Sequence, residues 1–215
     1  RDFAKFVSRQ SLSNFLSKSE IFKNIINIHG HIVECGVYLG GSLLTWGNLS
    51  AIYEPYNHTR RVIGFDSFKG FEKFSKKDKK NPKLGSSKTG GLSQSSEKEI
   101  KKCIKLYDLN RPIGHIPRIE IVSGDAKKTI PNYLKKNEHL VVSMLFLDFD
   151  LYEPSKIALK TFLPRMPKGA VLVFDELNQA SWPGETVALL EEYGIRNLKI
   201  RRFEFTPAIS YAVLD

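Results

Sequence analysis

Two acidic strand ends carry most of the chemistry available to this sequence. In LFLDFDLYEPSK, residues 145–156, an apolar run closes on Asp148 and Asp150, and their alternate spacing puts both carboxylates on one face. In VLVFDELN a second apolar run closes on Asp175 and Glu176. Ionised carboxylates at the end of a buried strand are costly unless something pairs with them. If the two strands are neighbours, Asp148, Asp175 and Glu176 make an oxygen-rich site of the kind that holds magnesium or a similar hard cation. Without a cation, such a cluster repels itself and keeps its protons to higher pH. The competing reading has Asp175 and Glu176 capping the next helix or pairing with lysines.

Three further turns share this pattern of a short apolar run followed by a glycine or an acid. VECGVYLGGS places Glu34 before Gly36, Gly40 and Gly41. Glycines there allow a tight turn and close approach of a ligand to the backbone. The spacing is not the dinucleotide fingerprint GxGxxG, but it matches the looser E/DxGxxxG turn of methyltransferases that bind S-adenosylmethionine. GFDSFKGF ends its run on Asp66, where a carboxylate can accept both ribose hydroxyls of an adenosine. SGDA ends on Asp125, which could contact an adenine amino group or simply cap the following helix. The cofactor contacts are therefore expected from Glu34, Gly36, Tyr38, Gly40 and Ser42, from Asp66 and Ser67, from Gly124 and Asp125, and from Asp148.

The elements that must position these groups alternate. FAKFVSRQSLSNFLSKSEIFKNIINI has helical spacing and reads as one or two helices, an N-terminal cap over residues 1–30. Short β-rich runs then precede Gly36, Asp66, Asp125, Asp148 and Asp175, separated by helical stretches such as EKEIKKCIKLYDL, KKTIPNYLKK, KIALKTFLPRM and TVALLEEYG. KIRRFEFTPAISYAVLD reads as a closing hairpin. Strands alternating with helices predict an α/β fold, a doubly wound and mostly parallel sheet. In such sheets the ligand crevice lies outside the carboxyl ends of the strands, where all these acids would gather.

The chain has 215 residues and a hydrophobic fraction of 41%, which suits a single domain with a sizeable core. The net charge of +10 raises nucleic acid as a partner. Much of the excess, however, lies between Lys69 and Lys105, where KKDKKNPK precedes LGSSKTGGLSQSS. Lysine runs without interleaved aromatics are usually solvated loop rather than base-stacking platforms, so a nucleic-acid partner is not favoured. Residues 71–96 are expected to form a mobile lid, because glycines, serines and lysines supply no core of their own. Cys35 and Cys103 make neither a disulfide framework nor a zinc spacing, and Cys35 is expected in the core. No run reaches the roughly 18 apolar residues of a membrane span, and no secretory leader is read, which points to the cytoplasm. The chain opens on Arg1 rather than Met, which leaves room for an upstream segment. A homo-oligomer is left open.

The order VECGVYLGGS, GFDSFKGF, GLSQSSEKEI, SGDAKKTIPNYL, LDFDLYEPSKIAL and VLVFDELN resembles the macrocin O-methyltransferase family, over residues 33–185. DFDLYEPS is the most specific element of the resemblance. The resemblance implies a Rossmann-like class I fold and S-adenosylmethionine as cofactor. It also implies methyl transfer to a hydroxyl of a sugar or glycosylated small molecule. The family's magnesium ligands fall on Asp148, Asp175 and Glu176, the last where members usually carry Asp. No histidine lies in the lid to serve as base by resemblance.

Methyl transfer from a sulfonium is an in-line displacement, so alignment is the protein's first task. A sugar hydroxyl is a poor nucleophile, and coordination to magnesium would acidify and orient it. Asp148 or Asp150 could then take the proton, though Asp150 could equally be a structural hydrogen-bond acceptor. The rival enzyme is a catechol-type O-methyltransferase using the same ion on an aromatic diol. Rivals of other classes are a basic nucleic-acid-binding protein and a scaffold that retains only cofactor binding.

Overall fold

The computed structural model describes residues 2–78, 88–93 and 96–215. Residues 79–87, 94 and 95 of the expected lid lie outside the described residues. In chain order the elements are α1 (Phe3–Phe6), α2 (Arg9–Lys23), β1 (His31–Cys35), α3 (Gly41–Tyr53), β2 (Val62–Asp66), α4 (Glu97–Leu109) and β3 (Ile119–Ser123). There follow α5 (Ala126–Lys136), β4 (Val142–Leu147), α6 (Tyr152–Phe162), β5 (Val171–Phe174), α7 (Gly184–Glu192), β6 (Arg201–Phe203) and β7 (Thr206–Val213).

The strands form one sheet in the order β3-β2-β1-β4-β5-β7-β6. β1 to β5 pair in parallel, and the expected C-terminal hairpin adds β7 antiparallel to β5. The fold is the mostly parallel, Rossmann-like α/β arrangement expected from the sequence. The strand order reverses between β1 and β4, and a ligand crevice forms at such a switch point.

A sheet covered on both faces needs strands that are apolar throughout, and β4, VSMLFL, is buried at every residue. Alternate side chains feed two cores. Val33, Cys35, Phe65, Leu145, Leu147 and Phe174 face α5, α6 and α7. Ile32, Met144, Phe146 and Val173 face α2, α3 and α4, where they meet Phe22, Trp46 and Ile100. The N-terminal helix α2 belongs to this second core through Ile21, Phe22 and Ile25.

Helix α4 has the bounds its sequence suggests. Helix α6 begins earlier than the periodicity of KIALKTFLPRM implies, at Tyr152, and a 3₁₀ turn, Leu163–Arg165, takes its place at the end. Pro154 hides the early start, yet a proline in the first turn removes only an N–H that has no helical partner. Among the described residues no helix is long and apolar enough to cross a membrane.

Candidate active site

Main-chain hydrogen bonds continue the ladder one step past the strands and set the acids side by side. Gly36 N–H donates to Phe65 O (2.9 Å), Gly124 N–H to Asp66 O (2.8 Å), Asp148 N–H to Cys35 O (2.8 Å) and Asp175 N–H to Leu147 O (3.1 Å). Gly36 has φ +106°, and a Cβ there would meet Asp148 O at 1.9 Å. The turn after β1 therefore passes directly against the β4 end, and glycine is required.

These strand ends floor a cavity of about 740 Å³. Of the expected residues, Gly36, Tyr38, Asp66, Ser67, Gly124, Asp125, Asp148, Asp150 and Asp175 line it, while Glu34, Gly40, Ser42 and Glu176 do not. Its other side is walled by residues 70–76, with Glu153 and Pro154 of α6.

Asp66 is held by the loops around it. One carboxylate oxygen accepts the N–H groups of Val37 and Tyr38, both at 2.8 Å, and the other accepts Phe68 N–H at 2.7 Å. Tyr38 and Phe68 both have left-handed backbones, φ +49° and +54°, and this carboxylate holds them in that costly region. Asp125 caps α5 by accepting Lys127 N–H at 3.0 Å, and it also lines the cavity.

Glu34 points the other way. It alternates with Val33 and Cys35, so its side chain enters the α2–α3 core, where it is fully buried, with the Trp46 and Leu43 N–H groups near it but outside good hydrogen-bond geometry. Lys18 of α2, 3% exposed, is the nearest cationic influence. Its ammonium is hydrogen-bonded to Asn14 Oδ1 and lies 5.6 Å from the Phe146 ring centroid. Burial pushes the Glu34 carboxyl up and the Lys18 ammonium down, each effect opposed by the other residue's charge.

The acidic cluster has one member that the sequence did not announce. Glu185, in the first turn of α7, is fully buried. One oxygen accepts Glu176 N–H at 3.3 Å and the other has no partner. Burial, then Asp175 and Asp150, push its carboxyl well above the usual range. Burial does the same to Asp148, reinforced by Asp175 and Asp150. Asp150 is pushed up to about 7 by burial, then Glu176 and Asp175. Glu176 is pushed up to about 7 by burial, then Asp175. Burial raises Asp175 too, and Lys18 opposes it. Asp150 has φ +60° and sits at the centre of a turn closed by Leu151 N–H on Phe149 O at 2.6 Å, a strained geometry of the kind that gathers at functional sites. Among the described residues, no three His, Cys, Asp or Glu side chains stand close enough together to hold a metal ion.

A family model described as Macrocin-O-methyltransferase (TylF) matches residues 6–193. No curated protein matches the chain in sequence. Among solved structures, CalS11, described as a calicheamicin methyltransferase, superposes with a TM-score of 0.94 at 31% identity, over 99% of this chain and 82% of that one. An apo structure of CalS11, described as a TDP-rhamnose 3'-O-methyltransferase of calicheamicin biosynthesis, gives 0.83 at 30% identity, over 99% and 83%. The O-methyltransferase NovP shares the fold, with a TM-score of 0.71 at 20% identity over 94% and 79%. The chain belongs to the macrocin-O-methyltransferase family and is a class I S-adenosylmethionine-dependent O-methyltransferase.

Proposed function

We propose that this enzyme methylates a hydroxyl of a sugar, carried on a nucleoside diphosphate or as part of a glycosylated small molecule. The single observation behind this reading is that Asp148, Asp150 and Asp175 line the same cavity as Gly36, Asp66 and Asp125. A donor on the adenosine side and a hydroxyl at the carboxylates would share one enclosed space. Lys73, Lys76 and Lys127 also line the cavity and suit an anionic acceptor such as the TDP-rhamnose named for CalS11.

The carboxylates suit a divalent cation by the chemistry of their donors but not by their spacing here, which among the described residues brings no three of them close enough to share one ion. They are all oxygen, mutually repelling and raised in pKa, and the free Glu185 oxygen is buried with no partner. Asp148, Asp175 and Glu176 would hold the ion, which would supply Lewis-acid activation of the acceptor hydroxyl.

The chain's own residues perform the remaining tasks. The turn at Gly36, with Asp66 and Asp125, aligns the sulfonium methyl with the acceptor oxygen for in-line displacement. The oxygen forms a bond to the methyl carbon as the sulfur–carbon bond breaks, releasing S-adenosylhomocysteine. Asp150, which lines the cavity with Asp148 and Asp175, takes the hydroxyl proton.

The test is an assay with labelled S-adenosylmethionine, magnesium, and TDP-rhamnose, a catechol and an RNA as alternative acceptors. Label on the sugar supports the reading. Transfer to the catechol or the RNA alone would replace it.

A further inference from the structure

The acceptor side of the cavity is walled by a segment without regular secondary structure, in which Phe71, Lys73, Phe74 and Lys76 are lining residues. An irregular segment keeps one shape only where its contacts outweigh the entropy of ordering it. Its beginning is held by aromatic packing and main-chain bonds. Phe71 lies 5.2 Å from Trp182 and 5.6 Å from Phe74 between ring centroids, accepts Gly90 N–H at 2.8 Å and donates to Gly91 O at 3.0 Å.

Its far end is held by Asp78. One Asp78 oxygen accepts Ser75 N–H at 2.7 Å and folds the segment back on itself. The other accepts Tyr152 N–H, also at 2.7 Å. Tyr152 opens α6, and the residue at the cap position, Leu151, has no side chain able to cap. Asp78 supplies that cap from across the chain, where a helix start favours a carboxylate. Gly184 is fitted to the same contact: a Cβ there would lie 2.6 Å from the Asp78 oxygen and 2.4 Å from Tyr152 N. Beside it, the Lys77 ammonium donates to Tyr152 Oη at 2.9 Å and pairs with Glu191 of α7. The loop carrying Asp148 and Asp150 runs directly into this helix start.

We propose that Asp78 is a positioning residue that fixes the acceptor wall, residues 71–78, to the start of α6, so that the wall and the Asp148–Asp150 loop hold one mutual arrangement. The proposal rests on the reading of this cavity as the active site.

The test compares Asp78→Ala and Asp78→Asn with the wild type, all with S-adenosylhomocysteine bound. Trypsin cleavage at the exposed Lys73 and Lys76, followed by mass spectrometry, is expected to accelerate about tenfold in Asp78→Ala, the scale of one lost cap. Asp78→Asn keeps an amide oxygen for Tyr152 N–H but turns its NH2 toward Ser75 N–H, and is expected to fall between wild type and Asp78→Ala, at about threefold. Cofactor affinity by calorimetry is expected to change less than twofold in either. With TDP-rhamnose, Asp78→Ala is expected to raise the acceptor KM about tenfold while kcat changes little.

Unchanged cleavage in Asp78→Ala, no rescue by Asn, or cofactor affinity falling in step with cleavage would each overturn the proposal. Should Asp78→Ala fail to fold, Asp78→Ser, too short to reach Tyr152, carries the same comparison. If the wild type leaves TDP-rhamnose unmethylated, that acceptor falls, and the cleavage comparison still decides the role of Asp78.

Discussion

One oxygen of Asp66 accepts the main-chain N–H of Tyr38 at 2.8 Å and of its neighbour Val37 at the same distance. The end of β2 is thereby tied to the turn after β1, the two loops between which the adenosine of the cofactor would lie. Counting Phe68 N–H, the carboxylate has three of roughly four lone-pair positions engaged. It can meet one ribose hydroxyl without giving up a backbone partner, and two only by releasing one.

Asp66→Ala is therefore expected to cost stability as well as cofactor affinity. Three main-chain donors lose their acceptor, for about 1–3 kcal/mol of unfolding free energy. Urea denaturation and calorimetry with S-adenosylmethionine measure the two losses. A fall in cofactor affinity at unchanged stability would mean that the carboxylate is free of the backbone in solution.

A second expectation concerns pH. Asp150 and Glu176 are each pushed up to about 7, above the value near 4 of an unfolded carboxyl. Between those values the folded protein binds more protons than the unfolded chain. The stability linked to these groups is thus complete below about pH 4 and is lost as pH rises through about 7. His31 works in the opposite sense at the acid end: burial pushes it down to about 4, so its contribution is lost as pH falls below its unfolded value near 6.5. Metal-free protein is expected to melt at a higher temperature at pH 6.5 than at pH 8. Magnesium should narrow that gap by replacing protons among the carboxylates. Scanning calorimetry that finds metal-free protein more stable at pH 8 would contradict this account.

The residues behind these expectations were not equally legible in the sequence. The apolar runs before Asp66, Asp148 and Asp175 are buried strands, as their shortness and β-branched or aromatic content between turn signals suggest. Their order alone located the crevice. Glu34 was legible in part: its place beside Gly36 suggests cofactor, whereas strict alternation with Val33 and Cys35 sends its side chain through the opposite face. Glu185 and Asp78 were hidden by commonplace surroundings. An acid after Pro-Gly reads as an ordinary first-turn residue of a helix, and an Asp inside KKDKK reads as part of a solvated charge run. Lys18 looks like any surface lysine of an amphipathic helix. What reveals these three is burial against segments distant in sequence, which local pattern does not encode.

Lys18 and Glu34 lend themselves to a double-mutant cycle. The charge of each opposes the effect of burial on the other, so removing one member leaves the other less compensated. Lys18→Met alone and Glu34→Gln alone are each expected to destabilise the protein. The double variant should recover part of the sum, a coupling energy read from urea denaturation. Strict additivity would show that the two charges do not sense each other.

The last expectation returns to the carboxylates beside the switch point. If Asp148, Asp175 and Glu176 hold magnesium, excess chelator should abolish methyl transfer while the affinity for S-adenosylmethionine stays nearly constant, since Asp66 ends β2 and Asp125 follows β3, apart from the ends of β4 and β5. Asp148→Asn keeps the volume and removes one charge from the cluster. Its turnover should fall roughly 100-fold or more, the scale of a lost electrostatic or general-base contribution, with cofactor affinity little changed. Glu185→Gln separates repulsion from catalysis. Its amide oxygen can still accept Glu176 N–H, while the buried charge beside Asp175 and Asp150 is gone. Any gain in melting temperature of metal-free Glu185→Gln over the wild type should therefore grow as pH rises, because burial, Asp175 and Asp150 favour the protonated wild-type carboxyl at lower pH. Full turnover in excess chelator with a verified acceptor would assign the carboxylates to proton transfer alone. An advantage of Glu185→Gln that does not change with pH would remove charge repulsion as its cause.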